Sequence, residues 1–269
     1  MAAKARRQSW LNRILDRIIG WQAGLPAPSS SYTVQTVKIP LEGDDNIQLI
    51  ADLYQPTKPP LGTILIQSLY GRGFPLSITA RTWARHSYNV LLVSMRATFG
   101  SSGTLDPART DATDGPRVVK WMRDQPWYTG TFATVGASYV GFTQWALLNA
   151  DPPLEDIAAA IVTVGPQDFS ELVWGTGALW LPLVDWARLM VLMQGTMSTL
   201  RAFMKTGGSD GWMSVKKSPP LADGARAGLG DQAPWLYELI NRPGISADPY
   251  YRPEARRSTR KGQGPHSVD

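Results

Sequence analysis

The sequence of 269 residues contains no cysteine, two histidines (His86 and His266) and only 18% charged residues. The missing cysteines exclude disulfides, thiolate chemistry and cysteine zinc sites together. They leave the redox compartment open, because a cysteine-free chain is compatible with either environment. So few histidines argue against a histidine-rich metal centre. No phosphate-binding glycine loop, metal-ligand cluster or cofactor motif is present, so no cofactor is expected. With 43% hydrophobic residues the chain can bury the core of one large domain or two small ones, which excludes a disordered or fibrous protein. Its 25 glycines and 21 prolines follow no repeating period and suit a loop-rich globular enzyme better than a helical bundle.

The net charge is +5, and its placement matters more than its size. Residues 1–22 carry Lys4, Arg6, Arg7, Arg13 and Arg17 against Asp16, and from 252 onward Arg252, Arg256, Arg257, Arg260 and Lys261 face Glu254 and Asp269. The middle of the chain is therefore slightly acidic. A nucleic-acid partner is not expected, since the basic groups are not interleaved with aromatics on the folded part. Residues 1–24 read as an amphipathic helix, with Trp10, Leu11, Ile14, Leu15, Ile18 and Trp21 at spacings of three and four. Asn12, Arg13, Asp16 and Arg17 break any continuous apolar run, which argues against a signal peptide or membrane span and for a cytoplasmic location. Such a helix can lie on an anionic membrane surface. The favoured reading is an extension packed on the domain.

After a linker at Leu25–Ser31, Tyr32–Pro40 and Ile47–Tyr54 read as a hairpin. Thr63–Gln67, Val90–Ser94, Thr131–Val135 and Ile161–Val164 are short apolar runs of the length of buried parallel strands. Between them Ser77–His86, Arg109–Arg123 and Tyr139–Asn149 are helix-length. An antiparallel entry followed by strand and helix alternation predicts an α/β sheet, whose functional sites lie at the carboxyl ends of the strands.

At one such end stands Gly136-Ala137-Ser138-Tyr139-Val140-Gly141. This is a variant of the Gly-x-Ser-x-Gly nucleophile elbow, because Val140 takes the fifth position and Gly141 comes one later. Taken alone it is equally an ordinary strand-to-helix turn. Its surroundings decide more: Asp114-Gly115, Val118-Val119-Lys120-Trp121, Gln125-Pro126-Trp127, Gly130, the elbow itself and Gln144-Trp145. This series resembles the serine hydrolases related to cocaine esterase and X-prolyl dipeptidyl peptidase. Leu69-Tyr70-Gly71-Arg72 and Arg96 through Gly103 stand where that family has its Pro-Tyr motif and its Arg-Gly-x-Gly-x-Ser-x-Gly loop. Three positions depart from the pattern: Leu69 replaces a proline, Ser94 an aspartate and Ala97 a loop glycine.

The resemblance spans roughly residues 32–245 and implies an α/β-hydrolase-type, mostly parallel sheet with a helical cap. It divides the chain into an N-terminal helix and linker (1–31), a hydrolase core (32–168), a cap (169–245) and a basic tail (246–269) that reads as disordered. Carried over, Ser138 is the nucleophile that forms an acyl-enzyme. The Tyr139 backbone N–H and the Tyr70 phenol are the oxyanion hole. The implied substrates are small-molecule esters, amides or peptides, with X-Pro dipeptidyl bonds among those cleaved.

The base is the difficulty. In α/β hydrolases the acid and the histidine follow the serine. Only His266 does so, among the basic residues of the tail, whereas His86 precedes Ser138 at a helix end. Neither is expected to act as the base. Asp168 follows a strand, but Asp168-Phe169-Ser170-Glu171 is a capping-box pattern. Asp111 and Asp114 sit at a helix start, where they favour the macrodipole. The family's last core strands, with the acid and histidine, have no counterpart after Tyr250-Tyr251-Arg252-Pro253. The expectation is therefore a core incomplete at its C-terminus, with Ile161–Val164 left as an edge strand and a tendency to self-association. Two functions stay open, a weak or inactive serine hydrolase and a non-catalytic remnant or binding protein that keeps the fold.

Overall fold

The computed structural model describes residues 5–44, 46–194, 201, 212–217 and 219–242. Within them a seven-stranded sheet is built from β1 (Arg6–Arg7), β2 (Tyr32–Pro40), β3 (Gln48–Pro56), β4 (Gly62–Ser68), β5 (Tyr88–Ser94), β6 (Phe132–Ala137) and β7 (Ile157–Thr163). The strand order is β1-β2-β3-β5-β4-β6-β7. The first three strands and the β3–β5 junction pair antiparallel, and β5, β4, β6 and β7 run parallel.

The parallel strands are apolar at nearly every position because both faces are covered. Ile64, Ile66, Val90 and Leu92 point to the face packed by Ala80 and Ala84 of α2 (Leu76–Arg85). The alternate residues Leu65, Leu91 and Val93 meet Val118, Val119 and Met122 of α3 (Asp111–Arg123), together with Leu147 of α4 (Tyr139–Leu148). A third cluster crowns the sheet. Leu69, Met95 and Tyr139, each just past the carboxyl end of β4, β5 or β6, pack against α5 (Phe169–Trp174), α6 (Pro182–Gln194), α8 (Leu221–Leu229) and α9 (Pro234–Ile240). Trp212 of α7 (Trp212–Lys217) joins them. The helices after residue 168 thus roof the strand ends where an α/β sheet carries its site.

Two elements differ from the sequence reading. The last strand begins four residues earlier than Ile161 and ends at Thr163, because Ile157, Ala159 and Ala160 also pair with β6 while Ala158 is skipped at a register shift. It is the sheet edge among the described residues, and Ala158–Ile161 are exposed. The N-terminal helix α1 (Trp10–Gln22) forms where expected, with Ser9 accepting the Asn12 N–H as its cap. Its packing is reversed: α1 rests on the domain through buried Asp16, while its apolar stripe faces outward. The reason is electrostatic, since Asp16 is drawn in by Arg81 Nε at 2.9 Å and by Gln8 Nε2 at 3.2 Å. No helix among the described residues is long and apolar enough to cross a membrane. His266 and the tail 246–269 lie outside the described residues.

Candidate active site

Strand β6 enters the elbow and α4 leaves it, with Ser138 alone between them at φ 58° and ψ −127°. A non-glycine residue there is strained by about 1–3 kcal/mol, and such strain collects at functional sites. The turn is locked on both sides. The Ser138 N–H donates to the Thr163 carbonyl of β7 at 3.0 Å, and the Ser138 carbonyl accepts from Gly141 and Phe142 N–H to start the helix. Ser138 itself stands exposed.

The glycines explain the altered spacing. A Cβ at Gly136 would stand 2.2 Å from Val140 Cγ1, so Val140 occupies the space that a side chain at 136 would need. A Cβ at Gly141 would come within 2.8 Å of the Gly165 Cα, and one at Gly165 within 2.7 Å of the Gly141 Cα. The second glycine of the motif is therefore placed three after the serine because that turn of α4 touches the backbone beyond β7. Gly165, unremarkable in the sequence, is its steric partner.

Tyr70, just past β4, is brought to the same point. Its phenol lies close enough to the Ser138 hydroxyl and the Tyr139 backbone N–H for both to lower its pKa. It also accepts Trp186 Nε1 of α6 at 3.0 Å. Burial pushes the Tyr70 pKa up, and the contacts with Ser138, Trp186 and the Tyr139 N–H partly oppose this, so the phenol stays a proton donor at neutral pH. The three residues singled out from the sequence, Ser138, Tyr70 and Tyr139, thus converge.

Two supports were not visible in the sequence. Trp186 stacks on the Tyr139 ring with centroids 5.6 Å apart and planes 17° apart, besides holding Tyr70. Asp111, read as a helix-dipole residue, is buried and accepts the Tyr139 hydroxyl at 2.8 Å, while that hydroxyl accepts the Ala108 N–H at 2.5 Å. Desolvation raises the Asp111 pKa to about 7 against the opposing Tyr139 hydrogen bond. Asp111 does sit in the first turn of α3 as expected, yet its partner is specific. The same holds for Asp114, which binds Arg96 through two hydrogen bonds of 2.6 and 2.7 Å. No spacing rule could reveal either pair, because both partners come from other elements.

The departures from the family pattern also acquire reasons. Ala97 adopts φ 54°, a left-handed conformation that glycine accepts more readily. Ser94 accepts Arg72 Nη1 at 2.5 Å, and the charge of Arg72 is met instead by Asp52 of β3 at 3.5 Å.

The other candidates fall away from the elbow. His86 follows α2 at the amino end of β5, the opposite end of the parallel strands from Ser138. Its Nδ1 lies 2.8 Å from the Thr82 carbonyl and its Nε2 3.2 Å from the Pro26 carbonyl. Asp168 is an N-cap, accepting Ser170 and Glu171 N–H and the Ser170 hydroxyl. Among the described residues, no group of three or more His, Asp or Glu could hold a metal ion.

The chain is 30% identical over 122 residues to cocaine esterase of Rhodococcus sp. (strain MB1 Bresler), covering 43% of this chain and 21% of that protein. It therefore spans about a fifth of that curated relative. An aminopeptidase from a marine sediment Thaumarchaeota archaeon superposes with a TM-score of 0.61 at 18% identity, over 83% of this chain and 40% of that one. An alpha-amino acid ester hydrolase gives 0.58 at 19% identity, over 86% and 40%. A CocE/NonD family hydrolase from Staphylococcus aureus gives 0.52 at 19%, over 71% and 37%. These likenesses establish the α/β-hydrolase fold. The match to the X-Pro dipeptidyl-peptidase (S15) family over residues 45–241 takes in both the elbow and the helices above it, and the chain belongs to that family of esterase- and peptidase-type hydrolases.

Proposed function

We propose that this chain is a serine hydrolase of ester or amide bonds, X-Pro dipeptidyl bonds among them, with Ser138 as nucleophile. The observation that carries the reading is the strained backbone of Ser138 at a strand-to-helix turn, with the Tyr70 phenol close beside it. Ser138 Oγ attacks the carbonyl carbon and gives up its proton to solvent water. The oxygen, as it becomes negative, takes the Tyr139 N–H and the Tyr70 O–H, two donors beside Ser138. The carbon–oxygen or carbon–nitrogen bond then breaks, the alcohol or amine leaving with a proton from water, and a second water cleaves the acyl-enzyme to the acid and free Ser138. The described helices between residues 169 and 242 serve as the cap over the acyl pocket, with Trp186 holding the phenol in place.

A hydroxyl without an adjacent base is a weak nucleophile. Among the described residues no histidine approaches Ser138, and this favours the second reading, a binding protein that keeps the hydrolase fold. The two readings separate in one assay. With an activated ester as substrate, the first reading expects slow turnover that Ser138→Ala removes. That turnover is unchanged by His86→Ala and His266→Ala and lacks the pH limb near neutrality that an imidazole base produces. Turnover equal in Ser138→Ala would support the binding protein. Fast turnover abolished by either histidine substitution would overturn the statement that neither is the base.

A further inference from the structure

Helix α1 turns its apolar side to solvent. Trp10 is 70% exposed, Leu11 51%, Ile14 51%, Leu15 45%, Ile18 48% and Trp21 80%. The opposite side, with Asp16, is fixed to the domain. Asp16 is closed off by Arg81 and Gln8, and the chain before the helix is pinned by β1 pairing to β2. The helix is thus held by polar contacts that leave a tryptophan-ended stripe outward. Arg13 and Arg17 flank the stripe and are exposed, as are Arg6 and Arg7. The one acid in residues 1–22, Asp16, is spent inward. Beside the helix, a groove of about 760 Å³ against α2 is lined by Arg13, Arg17, Arg85 and His86 among others.

We propose that α1 docks on an anionic phospholipid surface. Thirteen residues make a helix about 20 Å long, suited to lying in the plane of the interface. The apolar stripe enters the acyl boundary, Trp10 and Trp21 sit at headgroup level, and Arg13 and Arg17 meet phosphates. Charge selects lipid over a second copy of the chain. Two stripes facing one another would bring arginine borders together with no free carboxylate on either helix to meet them.

The test uses the full chain and vesicles of phosphatidylcholine alone or mixed with phosphatidylglycerol. Because the sequence has no cysteine, Ile18→Cys carries an environment-sensitive dye at a single point of the stripe. The dye should shift to the blue and the protein sediment only with the anionic vesicles, with affinity falling as salt rises. Arg13→Gln with Arg17→Gln should weaken binding about fivefold per arginine. Ile14→Asp with Ile18→Asp should abolish it, and both sites are exposed enough for the fold to tolerate the change. Equal binding to neutral vesicles, or undiminished binding by both double variants, would overturn the proposal. So would a dimer in solution that the aspartate substitutions dissolve while no vesicle is bound, which would give the face to a second copy.

Discussion

The elbow at β6–α4 and the helix α1 are both short, both plain in the sequence, and held by opposite means. At the elbow, position is set by exclusion: Val140 fills the space over Gly136, Gly141 and Gly165 touch backbone to backbone, and one serine takes the strain. At α1 position is set by attraction, through an ion pair between Asp16 and Arg81 that overrides the preference of six apolar residues for burial. Steric exclusion falls off within an ångström and fixes one geometry. A polar anchor holds a surface while leaving its other side available. The first suits a reaction, the second an interface.

The contrast can be sharpened most strongly beneath the elbow. Asp111 has its folded pKa at about 7, above the ordinary carboxylate value of 3.8. Between those values the folded chain keeps a proton that the unfolded chain has released, so stability falls as pH rises through that window. The loss from this group is on the order of 4 kcal/mol. Urea melts of the wild type and Asp111→Asn from pH 4 to 8 should therefore draw apart, the variant gaining relative to the wild type as pH rises. Parallel curves would remove Asp111 from the account.

Next in size is the glycine seam. Gly141→Ala places a methyl group 2.8 Å from backbone that has no free end to swing away, and should cost about 3 kcal/mol in chemical denaturation. A cost under 1 kcal/mol would show that the seam yields. Tyr70→Phe removes one of the two proposed oxyanion donors while keeping the ring, and should slow the proposed acylation of Ser138 about a hundredfold with little change in melting. An unchanged rate would leave Tyr70 as packing only. The smallest effect belongs to α1: nothing lies within 4 Å of a Cβ added at Gly20, so Gly20→Ala should raise stability by up to about 1 kcal/mol through helix propensity. A loss there would mean that α1 is packed more tightly than an anchored helix should be.

Local patterns in the sequence carried the fold a long way. The runs at Thr63–Gln67 and Val90–Ser94 fall inside β4 and β5, and Tyr32–Pro40 is β2 itself. Apolar alternation and turn residues are local properties, and strands follow them. The elbow was legible as a candidate because Gly136, Ser138 and Gly141 fall within six residues, while Thr163 of β7 and Gly165 beyond it, which close its geometry, were not. What stayed hidden depends on distance along the chain. Periodicity says that Trp10, Ile14 and Ile18 share a face of α1, but which way that face turns is decided by Arg81, 65 positions from Asp16. Likewise, Trp186 reaches Tyr70 across 116 positions, and β1 was missed because two arginines carry no strand pattern of their own.

Ser138, proposed as the acylable residue of this chain, is open to intact-mass analysis after reaction with a fluorophosphonate. A single adduct is expected, mapped to the peptide containing Ser138, absent from Ser138→Ala and undiminished in His86→Ala. An adduct that persists at equal yield in Ser138→Ala would contradict it.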